Sequence, residues 1–381
     1  MRNRLLSAFI LMLILIGSVY AQAEENSLVL IGRDEGYIWS ETDNELLELR
    51  GAHTGNFSPS GTQIAYRNIP IEYTMGLQAA IEREGGLGGT TAAYDIWIYN
   101  LTTGRRSYIA GQPEDASFFE ENVPLKYMVR SEPVWSPDGT KLAWTSNLPD
   151  DEAAGFVIEV YDLATETSTI IVEGLSSGDM LGAEGPPLIW TTEGISAIYN
   201  LMFQQYIVTY SPDGEQISNV DIGFTGVELM QFIPVWQGER QYVAIEDITN
   251  QWSLVDVQLG QILPMNGVPE MFNLNAPANS LGAFALRTAD YEQQWYVASA
   301  NGEPQPVDFA PVAVAISPDG NRVAYLEDDA VYVWQGSEVQ YLSPTGYDGI
   351  PIRQIYWGQP AWRIREGVAS ERVPPPGEGM G

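Results

Sequence analysis

An all-β, closed β-propeller of four-stranded antiparallel blades is the fold class this sequence predicts, and three observations predict it. A turn phrase, VWSPDGTKLAW at 134–144, recurs nearly unchanged as NFSPSGTQIAY and AISPDGNRVAY. A second, hairpin-like phrase follows each copy. The later copies fall at intervals close to the roughly 40 to 45 residues that one blade requires.

The first phrase is a β-hairpin. Ser136-Pro137-Asp138-Gly139 meets the demands of a type I turn, with Ser first, Pro pre-setting φ at the second corner, Asp third and Gly fourth. The flanking Pro133-Val134-Trp135 and Lys141-Leu142-Ala143-Trp144 are densely apolar, as in strands covered on both faces. Aligned on Trp135, the other turn-entry residues are Phe57, Trp190, Trp236, Asn275, Ile316 and Trp357. Their second strands fall on Ile64–Tyr66, Ala197–Tyr199, Val243–Ile245, Gly282–Phe284 and Val323–Tyr325. The Asn275 copy is the most eroded, having lost both the Trp and the Pro-Asp-Gly turn.

The second phrases include YDIWIYNLTTGRR, FVIEVYDLATETS and AVYVWQGSEVQYL, each a strand, a Gly, Asn or Asp turn, and another strand. Two hairpins make one four-stranded sheet. The turn-entry positions step by 78, 55, 46, 39, 41 and 41 residues. One such sheet cannot bury both faces alone, so blades stack radially and leave only short edges. Residues 27–50 supply three strands with no preceding turn phrase, and QIYWGQPAWRI, 354–364, supplies a turn phrase with no hairpin after it. Joined, the N- and C-terminal strands complete one blade. The count is seven blades, with six and eight as the neighbouring counts.

The run Trp135 to Gly139, then Leu142-Ala143-Trp144, with the DIWIYNLTTG hairpin at 95–104, resembles the TolB-type β-propeller repeat, a WD-repeat-like family, across residues 28–364. The resemblance implies a ring of blades. TolB-type proteins carry an α/β domain before the ring, whereas here strands are expected straight after the leader, so the partnership that domain serves is not implied.

Met1 to Arg4 is a short basic start, Leu5 to Ile16 an apolar run and Ala21-Gln22-Ala23 a small-x-small cleavage site, together a secretory signal peptide. The apolar run is short against the roughly 20 residues of a spanning helix. The expected division is a signal peptide at 1–23, the propeller at 24–366 and a Pro/Gly-rich disordered tail at 367–381. With no cysteine there is no lipid-anchor site and no disulfide, and a secreted product, periplasmic or extracellular and monomeric, is expected.

Acidic residues number 50 against 18 basic ones, and only Lys126 and Lys141 are lysines. Such a surface repels nucleic acid and anionic membranes and favours solubility. His53 is the sole histidine, which with the absent thiols argues against histidine-rich metal sites and thiol catalysis; no cofactor or metal is expected. Gly174-Leu175-Ser176-Ser177-Gly178 matches G-x-S-x-G but lacks the strand-to-helix context that gives that motif meaning. Peptidases with a similar propeller also need a hydrolase domain, and the residues after Ile364 read as tail. Carboxylate pairs such as Glu246-Asp247 and Asp328-Asp329 leave a glycan-cleaving enzyme as the rival to a binding protein.

The surplus in the first two steps is where binding is expected. Residues 69–93 insert a short helix, Met75 to Glu84, and a glycine run; residues 112–129 set Phe118, Phe119 and Tyr127 among acids. Loops of rigid rings bind partners, and aromatics on an acidic loop suit a protein or a glycan. The candidate contact residues are Tyr73, Met75, Leu77, Glu82, Arg83, Phe118, Phe119, Glu120 and Tyr127, with 176–187 as a weaker third loop. No catalytic residue is assigned.

Overall fold

The computed structural model describes residues 27–32, 35–40, 45–50, 52–84, 91–149, 155–175, 185–201, 204–224, 229–238, 240–247, 251–265, 267–273, 281–287, 293–299, 303–308, 313–317, 320–328, 330–336, 338–342, 352–357 and 360–366. The expected signal peptide, the tail at 367–381 and the Asn275 turn lie outside them.

In chain order the first strands are β1 (Ser27–Gly32), β2 (Glu35–Ser40), β3 (Glu45–Arg50), β4 (Ala52–Phe57) and β5 (Gln63–Asn68). Helix α1 (Ile71–Glu84) precedes β6 (Asp95–Asn100), β7 (Arg105–Ala110), β8 (Val134–Trp135), β9 (Lys141–Asn147), β10 (Phe156–Asp162) and β11 (Thr167–Leu175). Next come β12 (Leu188–Thr191), β13 (Gly194–Leu201), β14 (Gln204–Tyr210), β15 (Gln216–Phe224), β16 (Leu229–Gln237), β17 (Arg240–Asp247), β18 (Trp252–Asp256) and β19 (Gln261–Pro264). The remainder are β20 (Gly267–Asn273), β21 (Leu281–Arg287), β22 (Gln293–Ser299), β23 (Gln305–Pro306), β24 (Ala313–Ile316), β25 (Val323–Glu327), β26 (Ala330–Gln335), β27 (Glu338–Leu342), β28 (Ile352–Tyr356) and β29 (Pro360–Glu366).

These strands pair as propeller blades. Four sheets are sequential antiparallel meanders, β4–β7, β8–β11, β12–β15 and β24–β27. A fifth has the order β28-β1-β2-β3, with Val29 opposite Tyr356 and Leu30 opposite Ile355. In the sixth, nine-stranded sheet, the meanders β16–β19 and β20–β23 lie either side of β29.

The recurrent turn forms alike in its three strong copies. Gly139 N–H donates to the Ser136 carbonyl, as Gly61 does to Ser58 and Gly320 to Ser317, each at 2.8 Å. In each copy the serine Oγ accepts from the first residue of the next strand, or the residue before it: Lys141 (2.9 Å), Gln63 (3.1 Å) and Arg322 (2.9 Å). Gly139 and its counterparts have φ near +70°, which a glycine adopts without steric cost. Asp138 accepts from Ser136 Oγ and from Thr140, and the Ser136 bond leads the set that holds its carboxyl below the usual carboxylate range. A carboxylate so depressed contributes stability above its unfolded value, about 3.9, and that contribution is lost as pH falls through the lower folded value.

Packing then joins the sheets face to face. Ile38 of β2 meets Phe57, Ile64 and Tyr66; Ala65, Ile96 and Ile98 meet Trp135, Leu142 and Trp144; Ile158 and Val160 meet Trp190 and Ile195. Ile198 and Ile207 meet Val243 and Val255, and Leu28 and Trp39 meet Ala324, Leu326 and Val333. Each fully buried aliphatic side chain contributes about 1.5–3 kcal/mol. Hydrogen bonds fix one such joint: Trp135 Nε1 donates to the Asn56 carbonyl and Asn56 Nδ2 to the Pro133 carbonyl, both 2.9 Å.

Two elements differ from expectation. The helix begins at Ile71 rather than Met75, because Pro70, whose carbonyl accepts the first helical bond from Thr74 (3.2 Å), suits a helix entry, and Glu72 and Arg83 complement its dipole. The strand β29 does not fold back on β28 as the turn phrase at 354–364 implied. It runs parallel to β16 at Val235 and Trp236 and antiparallel to the whole of β20, where Trp362 packs into the cores on both sides.

Trp135→Phe should keep the aromatic packing and lose one cross-sheet hydrogen bond, costing about 1 kcal/mol, and Asn56→Ala should cost a similar amount. Thermal unfolding checks this, with no shift in either variant as the contrary result. Asp138→Asn should flatten the loss of stability on the acid side, measured by melting temperature across pH 3 to 7.

Candidate functional site

The two insertions predicted to bind pack on each other, and three tiers can be built from their residues. The lowest is polar and ties the insertions to the blades. Arg130, 3% exposed, donates from Nη1 to the Tyr94 carbonyl (2.7 Å) and from Nη2 to the Gly111 carbonyl (2.8 Å). Arg67 donates to the Arg130 carbonyl (3.2 Å) and lies over the Tyr94 ring at 4.3 Å. Gln112 Nε2 donates to the Tyr94 carbonyl and to Asp95 (both 3.1 Å), while its Oε1 accepts from Met128 N–H (2.7 Å). Asn147 of β9 holds the other end, accepting from Val129 N–H (2.7 Å) and donating to the Tyr127 carbonyl (3.1 Å). Burial pushes the Asp95 carboxyl above its ordinary range against the opposing effects of Gln112 and Arg130, and burial likewise lowers the Arg130 guanidinium.

The middle tier is aromatic. Tyr73, 3% exposed, meets Phe118, Phe119 and Tyr127 edge-on at centroid distances of 6.0, 5.3 and 5.5 Å, and Phe118 stacks on Tyr127. The hydroxyls of Tyr73 and Tyr127 both donate to the Thr91 carbonyl, each at 3.0 Å. Tyr73, Leu77 and Ala80 recur on one side of α1 with the i, i+4, i+7 spacing of a buried face. Gly76 lies on that side because a Cβ there would stand 2.2 Å from the Phe118 carbonyl oxygen. Phe119 itself is held at φ 60°, a conformation costing a bulky residue about 1–2 kcal/mol; its ring packs on Tyr73 and its carbonyl accepts from Arg83 Nη2 (3.3 Å).

The outer tier is exposed. Ile71 and Met75, 63% and 66% exposed, stand one turn apart, followed on that side by Gln78, which donates to Glu82 (2.9 Å). The loop adds exposed Glu120, Val123 and Leu125, and its hairpin-like base is pinned by paired bonds between Ser117 and Lys126 and by the Lys126–Asp115 ion pair (2.6 Å).

The nine predicted contact residues therefore separate. Met75, Glu82, Arg83 and Glu120 are at the surface. The aromatics expected to face a partner are turned inward instead, with Tyr73 and Phe119 buried and Phe118, Tyr127 and Leu77 half-buried, because the two insertions are each other's apolar partner. Ile71 went unnoticed in the sequence although Pro70 before it signals a helix start. The polar tie of Arg130, Gln112 and Asn147 carries no sequence signature.

Of the remaining motifs the described residues include only parts. Gly174 and Leu175 end β11 and the serines after them lie outside the described residues, as do the glycine run 85–90, 176–184 and Asp329. His53 falls in β4, and Glu246 is buried in β17. Among the described residues no three His, Asp or Glu side chains gather as metal ligands, and no helix is long and apolar enough to cross a membrane.

No family model matches the chain, and no curated protein matches it. Solved structures similar to it include the β-propeller domain of the Trilobed protease from Pyrococcus furiosus, with 15% identity over 76% of this chain and 83% of that one and a TM-score of 0.43. An acylaminoacyl peptidase from Pyrococcus horikoshii has 14% identity, 83% and 48% coverage and a TM-score of 0.43. TolB from Acinetobacter baumannii has 14% identity, 88% and 65% coverage and a TM-score of 0.35. The chain spans about half the length of that peptidase. Identities this low carry no functional information.

Gly76→Ala should push the 112–129 loop off the helix at a cost of about 1–3 kcal/mol. Limited proteolysis at Lys126 checks this: cleavage should accelerate in the variant, and an unchanged rate would contradict the close approach.

Proposed function

We propose that this chain is a secreted, non-enzymatic β-propeller that binds a protein partner through the outer tier of the α1 and 112–129 assembly. The observation that carries the reading is the pair Ile71 and Met75, large and apolar, held outward on a helix whose other side is fastened to an aromatic pedestal. Scattered exposed apolar residues need no explanation. Two adjacent ones on a rigid insertion, rimmed by Glu72, Glu82 and Glu120, suit a partner with an apolar pocket and a basic border.

In this reading the ring has seven blades, β16–β19 and β20–β23 counting separately with β29 between them. It is closed through β28 and β1, a reading supported by that ladder and by cores that link sheets around the ring. Residues 1–23 act as the export signal, 367–381 as a free tail, and the mature protein works as a monomer in the periplasm or outside the cell.

A pull-down from envelope extract, with the mature ring as bait beside an Ile71→Asp/Met75→Asp bait, tests the reading. The partner recovered by the native ring should bind the variant at least about thirtyfold more weakly, the loss of one hot spot of about 2 kcal/mol, with the melting temperature unchanged. Equal recovery by both baits, or recovery of carbohydrate alone by both, would overturn it.

A further inference from the structure

A buried carboxylate lies under the insertion assembly, where the 112–129 loop leaves β7 and returns to β8. Asp95 opens β6 and is 7% exposed. Its side chain accepts from Gln112 Nε2 (3.1 Å). The same amide closes the loop on itself: Gln112 Oε1 accepts from the Met128 N–H (2.7 Å), and Nε2 also reaches the Tyr94 carbonyl (3.1 Å). Tyr94 N–H donates to the Met128 carbonyl (3.2 Å) and completes the junction. One side chain thus joins both ends of the loop to the start of β6.

The cation that acts on Asp95 is bonded elsewhere. Arg130, on the β8 side, directs Nη1 and Nη2 to the Tyr94 and Gly111 carbonyls, so it favours the carboxylate through space. Glu72 of α1 acts on Asp95 with the opposite sign. Arg67 of β5 donates to the Arg130 carbonyl, Glu159 of β10 acts on Arg130, and the Tyr108 phenol of β7 lies in the field of both Asp95 and Arg130. An ionised carboxylate here has exchanged water for the neutral amide groups of Gln112 and a distant guanidinium. Burial outweighs both, which is why the Asp95 carboxyl stands above its ordinary range.

That cost falls on one state of the loop. With Gln112 and Met128 in place the carboxylate is dry; when the loop base lifts, water reaches it and the ionised form regains its hydration. Protonation therefore favours the closed base and ionisation the open one. A carboxyl raised in the closed state contributes stability that is complete below its unfolded value, about 3.9, and is lost as pH rises through the higher closed-state value. Asp138, whose carboxyl is depressed, has the opposite sign. We propose that Asp95 is a proton-operated latch on the 112–129 loop, closing its base in acid and loosening it toward neutral pH. Phe118 and Phe119 ride on that loop and pack on Tyr73, so the latch sets how firmly α1 presents Ile71 and Met75. This last consequence rests on the protein-binding reading; the latch itself does not.

Hydrogen exchange of the mature protein, read residue by residue as protection factors between about pH 4 and 8, tests the latch. Protection of the Met128 amide, which bonds to Gln112, should fall at least about threefold as pH rises. Amides between β13 and β14 should not share that fall. Asp95→Asn keeps an acceptor for Gln112 and has no proton to lose. Its Met128 protection should be independent of pH and, at about pH 7, at least about threefold above that of the native chain. The Asp95 carboxyl carbon of the native chain should titrate in NMR with a midpoint above about 3.9, a measurement that stands even if the variant fails to fold. A midpoint at or below that value, Met128 protection that is flat or rises with pH in the native chain, or the same pH dependence in Asp95→Asn would each overturn the proposal. If the latch behaves as stated while partner recovery ignores Ile71 and Met75, the contact surface falls and the latch remains.

Discussion

A four-stranded sheet is too thin to hide either of its faces, and every other feature of this molecule follows from the need to cover both. The sheets meet through interleaved aliphatic and aromatic side chains, and between the β4–β7 and β8–β11 sheets the turn-phrase Trp135 is also hydrogen-bonded to the preceding sheet's backbone. What repeats with the phrase is the turn itself, formed alike at Gly61, Gly139 and Gly320. With no cysteine in the sequence, no disulfide reinforces these joints.

The joint between β16–β19 and β20–β23 is made differently. There β29 enters, pairs with both innermost strands and sends Trp362 into the cores on each side. The same logic of mutual covering explains the insertions: an amphipathic helix in a β repeat has no blade to pack on, and the long loop between β7 and β8 supplies its apolar partner. Buried arginines and amides beneath them satisfy the loop backbone, which is how a long segment stays ordered without secondary structure of its own.

Much of this was legible in the sequence because turns and strand periodicity are local. The Ser-Pro-Asp-Gly phrase located Gly139, Gly61 and Gly320, and the paired second strands fell on β5, β9, β13, β17, β21 and β25. The insertions were found by their surplus length. Their internal arrangement was not, since aromatics on an acidic loop read equally as a contact surface or as a core, and only the helix facing Phe119 decides between them. Nor could spacing reveal that β29 would leave β28, because a parallel pairing with β16, more than a hundred residues away, has no local signal.

The central claim is that β28, from late in the chain, shares one sheet with β1–β3. The chain has no cysteine, so Val29→Cys/Tyr356→Cys introduces the only thiols, at positions directly opposite each other in the ladder. Mild oxidation of the native double variant should give a rapid intramolecular disulfide, seen as a mobility shift that reductant reverses, and the bond should not form at that rate in denaturant. A native, folded double variant that stays reduced would contradict the shared sheet, and with it the proposed closure.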